Sequence, residues 1–111
     1  MEISYTDFEK VDVRVGRIIS ADEFPNARKP AYKLRIDLGK EIGIKQSSAQ
    51  ITKLYRKEDL VGRLVLAVVN FPSKQVADFR SEVLTLGVPD RNGDIVLLAP
   101  DDDVELGARM H

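Results

Sequence analysis

A chain of 111 residues suits one domain (1–111) around a single core, which removes roughly 65% of the unfolded surface from water. With 43% hydrophobic and 32% charged residues and no apolar run near the roughly 18 residues of a membrane span, no membrane insertion is expected. The net charge of −1 hides a polarity, because residues 24–80 hold 12 Lys/Arg against 5 Asp/Glu, a local +7, while the flanks hold 5 against 13, a local −8.

Thr6-Asp7-Phe8-Glu9 matches a capping box and predicts a short helical turn. Val11, Val13 and Val15 alternate with polar residues as a half-buried strand does, and Gly16 with the adjacent Ile18 and Ile19 predicts a bulge or bend. "FPNARKP" (24–30) is a Pro-bounded loop carrying Arg28 and Lys29. In the next strand Tyr32, Leu34, Ile36 and Leu38 face a core, and Lys33, Arg35 and Asp37 face water. Ile42 and Ile44 read as a third strand ending in the polar stretch Lys45 to Gln50, and residues 50–60 follow helical spacing. Residues 61–71 read as a central strand, and "SEVLTLGV" as another. Asn92-Gly93 sets a tight hairpin before "IVLLA", and an acidic connection leads to a last short strand. Strand, strand, strand, short helix, strand, strand is the order of the OB-fold. The fold class is therefore mainly β, a five-stranded barrel with short helices, whose second and third strands and flanking loops bind extended ligands.

Catalytic constellations are missing. The lone His111 is terminal, and Asp90, Asn92 and Asp94 fit a hairpin better than a calcium loop. Neither an enzyme nor a metal or other cofactor is expected. The absence of Cys excludes disulfides and thiolate metal sites and fits a cytoplasmic protein, and "MEISYTDFEK" does not read as a secretory leader.

"DFEKVDVRVGRI", "EIGIKQSSAQITKLY" and "NFPSKQVADFRSEVLTLG", in this order, resemble the CsaA-type export-related chaperones. These belong to a wider tRNA-binding-domain family that includes the C-terminal module of some methionyl-tRNA synthetases. The resemblance implies an OB-fold barrel, a homodimer built by the N-terminal helix and elements beyond the barrel, and no catalysis. Its implied partners are unfolded or preprotein polypeptides, with a SecA link, and tRNA in the synthetase-type members. Asn70 and Lys74 match the family's Asn-x-x-x-(Lys/Arg) pattern, and Ser81 and Glu82 its Ser-Glu pair. Asp78 departs from a common Gly, which counts against tight phosphate binding there, and Leu84 from the Met usual in synthetase-type members.

Lys45, Gln46, Ser47, Ser48 and Gln50 are expected to border the binding face as hydrogen-bonding contacts, Ser48 also capping the following helix. Arg28 and Arg80 add charge. Tyr32 and Phe71 read as core, and Phe79, between Asp78 and Arg80, as an exposed ring. The main expectation is a non-catalytic chaperone holding extended polypeptides for export; the alternative is tRNA in the same basic groove.

Overall fold

A computed structural model describes all of residues 1–111. In chain order the elements are α1 (Tyr5–Glu9), β1 (Val13–Glu23), β2 (Tyr32–Asp37), α2 (Gly39–Ile42), β3 (Ile44–Ala49), α3 (Lys57–Leu60), β4 (Leu64–Val68), β5 (Lys74–Val76), β6 (Phe79–Ser81), β7 (Leu84–Thr85), β8 (Gly87–Pro89) and β9 (Ile95–Leu97). Five strands form one antiparallel sheet in the order β3-β2-β1-β4-β7. The sheet curls until its edges meet, with Ser47 Oγ and Thr85 Oγ1 2.8 Å apart. The result is the nearly closed barrel that the strand order predicts.

Alternation in β2 fills that barrel. Tyr32, Leu34, Ile36 and Leu38 are buried, together with Ile18, Ile51, Leu60, Val65 and Val83. Burying each Leu or Ile fully contributes about 1.5–3 kcal/mol. β1 changes faces along its length: Val13 and Val15 pair with Val68 and Leu66 on one side, while Gly16, opposite Val65, belongs to the core side with Ile18. The register shifts between Ile18 and Ser20, so the bulge follows Gly16 rather than sitting on it. Gly16 instead permits close approach, since a Cβ there would lie 2.4 Å from Ile36 Cγ2.

Several expectations need correction. The capping box belongs to Ser4 and Asp7, not Thr6 and Glu9: Ser4 Oγ accepts the Asp7 N–H at 3.1 Å, and Asp7 Oδ2 accepts the Ser4 N–H at 3.2 Å. Ile42 closes the helical turn α2, and the third strand starts at Ile44 and runs through the polar stretch. Of residues 50–60 only Lys57–Leu60 is helical, so Ser48 lies within β3 and caps nothing. Phe71 lies beyond β4 and is 51% exposed, whereas Tyr32 is buried as expected. "SEVLTLGV" divides among the end of β6, β7 and β8. The Asn92-Gly93 hairpin exists, with Gly93 at φ +86°, but spans five residues between Pro89 and Ile95.

The final segment lies along β1. Val15 N–H donates to Ala108 C=O at 3.0 Å, Gly107 N–H to Val15 C=O at 2.8 Å, and Met110 N–H to Val13 C=O at 2.8 Å. The expected last short strand is reduced to an isolated antiparallel bridge between Arg109 and Arg14. None of α1's residues is buried, and Ile3, Tyr5, Val11 and Met110 are exposed.

Candidate ligand groove

β3 answers for the polar stretch. Its register places Ser47 opposite Leu34 and Ala49 opposite Tyr32, on the core side, and Gln46 opposite Arg35 and Ser48 opposite Lys33, on the outer side. Ser47 is therefore fully buried and removed from any ligand, contrary to expectation. Lys45 follows Ser47's phase, opposite Ile36, and so projects to the other side from Gln46 and Ser48. The polar side chains persist through a strand because half of them close the barrel.

The Ser-Glu pair performs that closure. Glu82 Oε1 accepts the Gln46 N–H at 3.0 Å, Glu82 N–H donates to Gln46 C=O at 2.8 Å, and Ser48 N–H donates to Ser81 Oγ at 3.0 Å. Gln46 Nε2 donates to Arg80 C=O at 2.8 Å, and Arg80 Nη1 to Ser73 Oγ at 2.8 Å. Asn70 is structural as well: its Oδ1 accepts the Asp12 N–H at 3.0 Å and its Nδ2 donates to Lys10 C=O at 2.7 Å, tying β4's end to the start of β1.

The β5–β6 hairpin, joined by Ala77 and Asp78, escapes sequence reading because three residues per strand show no alternation. It corrects the role of Phe79. The ring is half-buried and packs edge-on against Phe24, centroids 5.4 Å apart, while Lys33 Nζ lies 5.7 Å from the Phe24 centroid. The exposed Asp78 carboxylate accepts from Asn26 Nδ2 at 2.9 Å. These contacts pin the hairpin to the 24–31 loop.

Between loop, hairpin and the end of β3 opens a cavity of about 720 Å³. Arg28, Lys29 and Lys74 line it together with Ser48, Gln50 and Ser81, and no carboxylate does. A smaller hollow of about 160 Å³ adjoins it through Lys74, Ser81 and Leu84 and includes Phe71, so a cationic recess continues onto an apolar shelf where Leu84 is 48% exposed. Of the expected contacts, Arg28, Ser48, Gln50, Lys74 and Ser81 line the larger cavity, and Lys74, Ser81 and Glu82 the smaller hollow. Lys45 lines neither space, and Lys29, Gln75, Val76, Phe71 and Leu84 are additions. Lys29 was legible as Arg28's neighbour; Phe71 was concealed by its apolar phase.

The central +7 is not one trough. Lys53, Arg56 and Lys57 surround a separate hollow with Glu23 and Glu58, and Lys40 borders a cavity of about 640 Å³ at the α2 end that also holds Arg14, Glu41 and Glu105. Those regions mix signs, whereas the 720 Å³ cavity does not.

Residues 13–109 match the protein family described as "Putative tRNA binding domain". The structure superposes on the chaperone CsaA from Bacillus anthracis str. Ames with a TM-score of 0.93 at 50% identity, covering 100% of both chains. For the CsaA chaperone protein from Picrophilus torridus the TM-score is 0.93 and the identity 50%, over 99% of this chain and 100% of that one. The methionine–tRNA ligase of Thermococcus onnurineus is 37% identical over 108 residues, which is 97% of this chain and only 14% of the ligase. By the family match over residues 13–109, the chain belongs to the tRNA-binding-domain family, with CsaA chaperones among its full-length structural relatives.

Proposed function

We propose that the protein is a non-catalytic chaperone that holds extended polypeptide segments in the groove between the 24–31 loop and the β5–β6 hairpin. The observation that carries this reading is the continuity of the cationic recess with the apolar shelf. Arg28, Lys29 and Lys74 suit acidic side chains, and exposed Phe71 and Leu84 suit apolar ones, so a single unfolded segment of mixed composition engages both. The full-length likeness to two proteins named as chaperones supports it. In this reading the clients include cytoplasmic chains bound for export, SecA is a partner in the handover, and two copies pair through α1 and the elements beyond the barrel.

The test is light scattering of a chemically unfolded protein diluted with and without the chaperone. The parent suppresses aggregation, and the Phe71→Ser/Leu84→Ser variant loses most of that effect while keeping its thermal midpoint within a few degrees. Absence of suppression by the parent removes the reading.

A second reading, tRNA in the same groove, is favoured by the carboxylate-free lining of the larger cavity, from which Asp78 is absent. On this reading tRNA affinity falls steeply with salt, and Lys74→Ala lowers the log–log slope by roughly 0.7 to 0.9. Affinity that does not change with salt rejects it.

A further inference from the structure

In an antiparallel sheet the main-chain groups of alternate residues point to opposite neighbours. On β3, Gln46 and Ser48 direct theirs away from β2: both groups of Gln46 bond to Glu82, and the Ser48 N–H bonds to Ser81 Oγ. One step further the partners stop. The C=O of Ser48 and the N–H and C=O of Gln50 meet no group of the chain, and both residues line the 720 Å³ cavity. The barrel seam is thus sealed at the Gln46–Glu82 and Ser47–Thr85 end and open at the groove end.

An unpaired strand edge is a template for another strand. We infer that the groove takes a polypeptide as an added strand on the Ser48–Gln50 edge of β3, gripping its main-chain amides, while Arg28, Lys29 and Lys74 favour segments with acidic side chains. This inference rests on the polypeptide reading and specifies how such a chain is held. Two of the three free edge groups are carbonyl acceptors, which call for N–H donors in the ligand. A peptide main chain supplies an N–H donor and a C=O acceptor together at every second residue, matching the N–H and C=O of Gln50, whereas a phosphate group supplies acceptors only. Main-chain recognition also accounts for a holder of many sequences, because the amides are common to all of them. Ser81 marks the boundary: its hydroxyl satisfies the last N–H before the open stretch and lines the cavity itself.

The experiment uses a fluorescein-labelled nine-residue peptide of non-repeating sequence, rich in valine, leucine and aspartate, and a set in which each amide is N-methylated in turn. Strand addition predicts that binding to the full-length chain weakens about tenfold on methylation of the two amides, two residues apart, that face the Ser48 and Gln50 carbonyls, and less than about twofold at the residue between them. It also predicts that hydrogen exchange of the Gln50 amide slows at least about tenfold on saturation, while that of Gln46, already bonded to Glu82, changes little. Binding that tolerates every methylation within twofold, losses without alternation, or an unprotected Gln50 amide overturns strand addition while leaving the polypeptide reading standing. No binding at about 1 mM parent peptide removes both.

Discussion

Gln46 and Glu82 hold each other across the barrel seam: the Gln46 N–H donates to the Glu82 carboxylate at 3.0 Å, and the Glu82 N–H donates back to Gln46 C=O at 2.8 Å. A side chain here does the work of a ladder bond, because β7 is only two residues long and cannot pair with the whole of β3. Glu82→Ala leaves the Gln46 N–H without its acceptor and is expected to lower unfolding free energy by about 1–2 kcal/mol, whereas Glu82→Gln, which keeps an acceptor oxygen, costs less than half of that. Urea denaturation of the two variants checks the order. Equal losses show that charge, and not the bond to Gln46, is what matters.

Ala77 stands at φ +52° at the tip of the β5–β6 hairpin, the one non-glycine residue of the chain with a positive φ. The left-handed region costs an L-residue about 1–2 kcal/mol, and glycine's larger loss of backbone entropy takes back part of any gain. Ala77→Gly is therefore expected to raise stability by about 0.5–1 kcal/mol without altering the Phe24–Phe79 contact. A thermal midpoint that falls shows that the hairpin relies on the alanine methyl group at the cavity wall.

What could be read from the residues follows the physics of each element. Tyr32 to Asp37 announced its strand because six residues alternate against one core, and the barrel followed from the order of such segments. The third strand lacked that signal. Its inward positions are Lys45, Ser47 and Ala49, and a buried serine that meets Thr85 across the seam looks, in sequence, like a loop residue. The site shared this difficulty. Arg28 stood out as a cation in a Pro-bounded loop, whereas Lys74, Ser81 and Glu82 were marked only by the resemblance, and in this chain Ser81 and Glu82 close the seam. Phe71 read as core because it continues β4's apolar run, although β4 stops at Val68.

Gly39 and Gly107 form a reciprocal clasp between α2 and the C-terminal segment, both at φ +89°. A Cβ on Gly39 would lie 2.6 Å from Leu106 O, and one on Gly107 2.7 Å from Leu38 O, so either substitution meets backbone that cannot swing aside. Gly62 provides the contrast, with φ +94° and nothing within 4 Å. Gly62→Ala is expected to cost about 1 kcal/mol through conformation alone, and Gly39→Ala or Gly107→Ala about 2 kcal/mol or more. Limited proteolysis should release the C-terminal segment early in the clasp variants only. Similar losses at all three positions reduce the clasp to a matter of φ.

Acid should loosen the same end of the barrel through Asp12. A hydrogen bond from Arg14 at 2.6 Å is the main cause that holds the Asp12 carboxyl below its ordinary value of 3.8; burial opposes it, and the charges of Arg14 and Arg109 add smaller lowering effects. Because the folded-state pKa lies below the unfolded one, the stabilisation is fully present above about pH 4 and is lost as pH falls through the folded value. Arg14 also donates to Gly107 C=O at 2.9 Å and Arg109 to Glu9 C=O at 2.6 Å, so neutralising Asp12 weakens the attachment of the C-terminal segment to both β1 and α1. Asp12→Asn is expected to destabilise the protein at pH 7 and to flatten the decline in stability between about pH 4 and pH 2. The exposed Asp7, lowered in the same direction chiefly by the Ser4 backbone N–H, leaves a residual slope, which Asp7→Asn isolates. Denaturation curves at several pH values decide the matter: an acid limb of the Asp12→Asn variant as steep as the parent's assigns the sensitivity to other carboxylates.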